Sequence, residues 1–178
     1  MHRVAATSQM QPYIANNSGD DALKAFATGN YNYIKLTTAM ELTLNGQTVV
    51  VDLNGHDLNV LGNGTLKVFD TANDTYDHTA CGTLTVNDNV VYSGDYVAHN
   101  GIRYVALTDG NRSTIHRLEM KLTSASLRMS TAGIYYKAVF ACDRQMQEKI
   151  QSYGVAVSAS KMPDANFATA KDVLYTVI

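Results

Sequence analysis

Between Tyr33 and Phe69 the apolar side chains come in short bursts on every second residue: Ile34 and Leu36, then Met40, Leu42 and Leu44, then Val49, Val51 and Leu53, then Leu58 and Val60, then Leu66 and Val68. A period of two puts such residues on one side of an extended chain, so the pattern predicts short strands with one face in a core. Asn45-Gly46, Asn54-Gly55 and Gly62-Asn63-Gly64 separate the bursts, and the polar run DTANDTYDHTA follows Phe69. Asn and Gly tolerate the positive φ of tight turns, so these are predicted breaks. Upstream, DDALKAFAT predicts a short helix over 20–28, capped by Asp20 or Asp21, with Ala22, Leu23, Ala25 and Phe26 as its apolar face and Gly29 as its stop.

Near Val90 the texture changes. Strand-like runs and Gly or Asn turns now alternate at roughly the 8–12-residue spacing of β-sandwiches. RYVALTDGNRSTIHRLEM reads as a strand pair joined at Asp109-Gly110, and IYYKAVFAC after Gly133 as a strand with both faces buried. DRQMQEKIQSYG predicts a second helix over 143–153, with Asp143 as N-cap, Met146, Ile150 and Tyr153 on one stripe, and Gly154 as its stop. GVAVSAS then resumes as a strand. The expected fold is mainly β: a lead and short helix over 1–32, a solenoid-like segment over 33–90 and a β-sandwich-like segment over 91–178.

Strands this short build either a meander of hairpins or a parallel solenoid. GTLKVFD at 64–70 and GTLTVND at 82–88 share a G-T-L-x-V-x-D frame, which favours the solenoid if one coil stacks on the next. VVVDLNGHDLNVLGNGTLKVFDTA resembles the rungs of right-handed parallel β-helix proteins, where an aliphatic strand ends in D-L-N-G and the next strand follows directly. The resemblance covers about residues 33–90. Together with LRMSTAGIYYKAVF, it makes the chain similar to modules of large secreted or cell-surface proteins of bacteria. It implies an architecture and an extracellular or cell-surface location; D-L-N-G marks a turn and carries no catalytic residue.

Composition narrows the function classes. A chain of 178 residues makes one domain or two small modules. Only 17% of residues are charged, so Asn, Thr, Ser and Asp must supply the polar surface. The formal net charge is -2 and no basic run occurs, which excludes the electrostatic footprint of a nucleic-acid binder. No stretch has the ~20 consecutive apolar residues of a membrane span, and the N-terminus lacks the apolar centre of a signal peptide. The polar lead after Met1 and the apolar end AKDVLYTVI read as a chain cut from something larger. Cys81 and Cys142 are the only cysteines, too few for a disulfide scaffold or a Cys-rich zinc site. They form one disulfide or remain two buried thiols.

Four clusters could carry chemistry. Asp52 and Asp57 flank the Asn54-Gly55 turn beside His56, and two carboxylates converging on one cleft are the requirement for general acid/base work. The same residues suit a turn whose loose N–H groups need acceptors, and Lys35 and Lys67, the nearest candidate bases, show no partner in the spacing. Asp70, Asn73, Asp74, Asp77 and His78 offer oxygen-rich ligands for calcium without EF-hand order. Asp70, Asp74 and Asp77 are its core, and a solvated Asx-rich loop is the simpler reading. Tyr92, Asp95, Tyr96, His99, Asn100 and Tyr104 mix aromatic and polar groups as a sugar-binding face does, although eleven Tyr without one Trp suit packing better. His116 and Arg117 fall on opposite sides of a strand. No nucleophile elbow, zinc-protease pair or phosphate loop occurs.

These observations point to a non-catalytic module of a secreted or surface-attached protein that serves adhesion, glycan binding or spacing and needs no cofactor, calcium aside. One alternative is a fragment of a carbohydrate-active β-helix enzyme, a polysaccharide lyase or glycoside hydrolase, with Asp52 and Asp57 or the Asp70 to Asp77 cluster at work. Another is a surface antigen recognised by a protein partner through Tyr92 to Tyr104.

Overall fold

The computed structural model describes residues 11–88, 90–93, 95–97, 102–130, 132–151, 154–157 and 174–177. The first helix, α1, forms at Gly19–Ala27. Its cap is Ser18 rather than an aspartate, the Ser18 hydroxyl accepting from the Asp21 N–H at 3.2 Å. The lead also holds a strand, β1 (Pro12–Ala15), which pairs in parallel with β2 (Tyr33–Leu36).

The next two strands are longer than predicted. β3 (Met40–Asp52) and β4 (Leu58–Phe69) run through the Gly46 and Gly62 positions, which bend the strands without ending them. Gly62 sits at φ 82°, and a Cβ there would overlap the Leu44 carbonyl oxygen. β3 and β4 are parallel, with Met40 beside Leu58 and Leu42 beside Val60, a step of eighteen residues. At Asn54-Gly55 both residues have positive φ, 47° and 80°, and the His56 N–H closes the turn on the Leu53 carbonyl at 2.9 Å. In a hairpin that turn would reverse the chain onto its own strand. Here it leads into a parallel neighbour, so β3 and β4 are not a hairpin.

β4 pairs in parallel with two further strands, β5 (Thr83–Val86) along its first half and β6 (Val90–Ser93) along its second. Leu84 lies beside Leu58, twenty-six residues earlier, and not beside Leu66. The two G-T-L frames therefore do not stack on each other. Two 3₁₀ turns, Thr71–Thr75 and His78–Ala80, lengthen this step and put the frames out of phase.

β7 (Asp95–Val97), β8 (Ile102–Asp109), β9 (Arg112–Leu127) and β10 (Ile134–Cys142) pair antiparallel. The predicted strand pair turns at Gly110, with Asp109 opposite Arg112. β9 also pairs antiparallel with β5, so one mixed sheet of ten strands runs β1-β2-β3-β4-β5-β9-β8-β7, with β6 on β4 and β10 on β9. α2 occupies only Arg144–Gln147, capped by Asp143 as predicted. Of the predicted stripe Met146 is buried and Ile150 only partly so, which leaves little tertiary packing to extend so short a helix; Tyr153 lies outside the described residues. β11 (Gly154–Val157) and β12 (Leu174–Val177) form a separate antiparallel pair.

The inward positions read from the sequence make the core: Ile34, Leu36, Leu42, Leu44, Val49, Val51, Leu53, Leu58, Val60, Leu66 and Val68 are all buried. At its edge Phe69 meets Tyr33 edge-on, stacks on Tyr96 at 4.9 Å and touches Tyr104.

β10 departs most from expectation. Both of its faces were expected to be buried, yet Ile134, Tyr135 and Val139 are exposed, as are Met120, Leu122 and Leu127 on β9. The register gives the reason, because the distal half of β9 pairs with β10 beyond the point where β8 ends. Opposed residues share a face. One face carries the pairs Phe140–Met120, Ala138–Leu122, Tyr136–Ala125 and Ile134–Leu127; the other carries Val139–Lys121, Lys137–Ser124 and Tyr135–Ser126. A register shift between Lys137 and Ala138 leaves Thr123 as the extra residue. Without that bulge, strict alternation would place Ser124 and Ser126 on the apolar face in place of Ala125 and Leu127. The arm is thus an amphipathic hairpin whose apolar face is kept in phase by one inserted residue.

Candidate functional site

Asp52 is fully buried at the end of β3 and serves the turn. Its Oδ1 accepts from the Asn54 N–H at 3.0 Å and the Thr71 N–H at 2.9 Å, and its Oδ2 accepts from the Thr71 hydroxyl at 2.8 Å. Lys35 has a partner that sequence spacing could not reveal: its Nζ lies 3.3 Å from Asp52 Oδ2 and donates to Thr71 Oγ1 at 3.0 Å. Parallel pairing of Lys35 with Asp52 in the sheet brings them together. Asp57 is exposed, accepts from the Thr83 N–H at 3.0 Å, and lines a cleft of about 340 Å³ with Glu41 and Arg112. Asp52 and Asp57 therefore do not converge on one cleft.

Asp70 is also fully buried, and its oxygens are committed to backbone donors. Oδ1 accepts from Gly55 at 2.9 Å and Ala72 at 3.1 Å, and Oδ2 accepts from Gly82 at 2.6 Å. Burial pushes its pKa up to about 6, with the Asp52 charge adding to the rise and the three N–H groups opposing it. Asp77 is exposed and caps the second 3₁₀ turn through Thr79. Among the described residues Asp70 and Asp77 do not form one ligand set; the Asp74 side chain lies outside the described part.

The proposed sugar face is divided. The Tyr92 hydroxyl bonds Thr108 at 3.0 Å and Ser113 at 2.9 Å. Tyr96 stacks on Phe69, and Tyr104 is buried. His99, Asn100 and the Asp95 side chain lie outside the described residues. These three tyrosines pack and bond within the protein rather than forming one stacking platform.

The structure assembles a group that sequence reasoning missed. Cys81 follows the second 3₁₀ turn, His116 lies in mid-β9, and Asp143 caps α2. One ligand atom from each lies within 4.8 Å of the other two. His116 and Asp143 are both buried, with Nδ1 and Oδ2 2.6 Å apart. Asp143 Oδ1 accepts from the Met146 N–H at 2.8 Å, and the Asn73 amide donates to Oδ2 at 3.4 Å. Burial pushes the Asp143 carboxyl up, but the Met146, His116 and Asn73 bonds outweigh it and hold the group below the usual carboxylate range. Two fully buried atoms here, His116 Nε2 and Asn73 Oδ1, have no hydrogen-bond partner among the described residues, and each such omission costs about 1–3 kcal/mol.

Both cysteines are free thiols, so the disulfide is not formed. Cys81 takes part in the His116 and Asp143 group instead. Burial first, and then the charges of Asp70, Asp143 and Asp77, together push the Cys81 thiol up to about 12. The site resembles a Cys-His-Asp triad in residue types, but a nucleophile needs its thiolate, and this negative surrounding opposes one. The same surrounding favours a cation. The only sequence signal was Asp143 as an N-cap, because Cys81, His116 and Asp143 are too far apart in the chain for spacing to show a motif.

No protein-family model matches this chain, and neither the curated proteins nor the solved structures contain one significantly similar to it.

Proposed function

We propose that the chain is a non-catalytic spacing and interaction module of a larger secreted or surface-attached assembly. In this reading residues 33–90 are a short stack of β-helix-like coils, and the β9–β10 arm is the docking element. The carrying observation is the arm's apolar face, where Met120, Leu122, Leu127 and Ile134 are each more than half exposed. We put this face on the order of 600 Å², the upper end of what a monomer leaves open. Its occupant is a second copy of the chain. The face has no charged residue, so two copies can meet about a two-fold axis through identical surfaces. They would remove ~1,200 Å² from water, the lower bound of a specific interface. The commitment of Asp52 and Asp70 to backbone donors supports a non-catalytic role.

Sedimentation of the intact chain tests the reading, with concentration-dependent dimers expected. A second reading, a carbohydrate-active β-helix enzyme, rests on Glu41, Asp57 and Arg112 sharing the 340 Å³ cleft. Reducing ends or unsaturated products released from a polysaccharide panel, and lost in Asp57→Asn, would establish it and overturn the first.

A further inference from the structure

Three segments distant in sequence meet at Cys81, His116 and Asp143: the 3₁₀ region, the middle of β9 and the start of α2. We infer that this group, with Asn73 beside it, is a binding site for a borderline-soft divalent cation of the zinc class. The donor chemistry carries the assignment. A thiolate sulfur, an imidazole nitrogen and a carboxylate oxygen are the ligand types zinc takes, whereas calcium and magnesium take oxygen alone. One ligand atom from each lies within 4.8 Å of the other two, so an ion can reach all three once the 2.6 Å contact between His116 Nδ1 and Asp143 Oδ2 opens to admit it.

Two further observations point to an occupant. Among the described residues, His116 is fully buried with its Nε2 unsatisfied, and Asn73 is fully buried with its Oδ1 unsatisfied. Buried polar atoms in folded proteins nearly always have partners, so two orphans in one cluster mark a place where an ion and its bound water belong. Cys81 is only partly buried, which gives an ion a route in from solvent. On binding, the Cys81 S–H bond breaks, the sulfur keeps the electron pair for the metal, and the proton passes to solvent.

The site has a structural role. It ties the 3₁₀ region and α2 to β9 without using the β9–β10 arm, so its test is independent of the dimer. The experiment is a cobalt(II) titration of the reduced, metal-stripped chain, read by thiolate-to-cobalt charge-transfer absorption, alongside thermal melts with and without zinc. The expected result is one cobalt per chain and a zinc-dependent rise in Tm. Cys81→Ser should abolish both, while Cys142→Ser leaves both intact. Absence of the absorption band and of the Tm rise in the unmodified chain would overturn the site, needing no variant to fold. A band that survives Cys81→Ser but disappears in Cys142→Ser would also overturn it.

Discussion

Replacing Asp52 with alanine separates a structural carboxylate from a catalytic one. The substitution strips two half-buried N–H groups, Asn54 and Thr71, of their acceptor, and leaves Lys35 and the Thr71 hydroxyl without their carboxylate. Each orphaned N–H costs about 1–3 kcal/mol, so the expected loss is about 2–5 kcal/mol. Lys35 contributes little to the loss in Asp52→Ala, since its side chain is 28% exposed and can turn to water. Asp52→Asn is the internal control. Both backbone donors use Oδ1, which an asparagine retains, so most of the stability should return. Urea unfolding followed by circular dichroism gives the three midpoints. If Asp52→Ala costs under about 1 kcal/mol, or if Asn and Ala cost the same, the accounting of N–H acceptors is wrong.

The Asp70 carboxyl should titrate near pH 6 by NMR, against 3.8 as its ordinary value. Because its folded pKa is raised, the folded state holds the proton more tightly than the unfolded one. Its contribution to stability is therefore greatest below about pH 4, falls by roughly 3 kcal/mol as the pH rises to about 6, and is flat above. Urea midpoints of the wild type against Asp70→Asn over that window check the sign, and a difference that rises with pH would contradict it. Gly62→Ala should lower Tm sharply, since it combines φ 82° with an overlap on the Leu44 carbonyl. Gly46→Ala has the same backbone strain, φ 79°, but open space around the new Cβ, and should cost only about 1 kcal/mol. Equal effects in paired thermal melts would show that the close approach at Gly62 is unimportant.

What the sequence made legible follows from the range of the forces involved. Alternation between Ile34 and Val68 identified the core because a period of two is a local property of each strand. The Asn54-Gly55 turn, the hairpin at Gly110 and the Asp143 cap were legible for the same reason. Gly46 and Gly62 were misread as ends because a glycine at positive φ can bend a long strand as well as terminate one. The G-T-L repeat misled because register depends on the length of the intervening loop, here lengthened by two 3₁₀ turns. The apolar residues on both faces of β10 predicted burial, but a pattern cannot say whether a second layer covers the strand. The Cys81, His116 and Asp143 group was invisible, since its members come together only when β9, α2 and the 3₁₀ region dock.

The central claim, that the β9–β10 arm is where two copies of the chain meet, is tested most directly by sedimentation equilibrium of the wild type and of the Leu122→Lys/Leu127→Lys double variant. Both leucines are exposed, 56% and 77%, so the fold should tolerate the change. The account predicts a wild-type dimer and a monomeric variant with the circular dichroism of the folded chain. A wild type that stays monomeric up to millimolar concentration would contradict it. So would a monomer whose variant melts well below it, because that result places a segment of the chain's own on the apolar face.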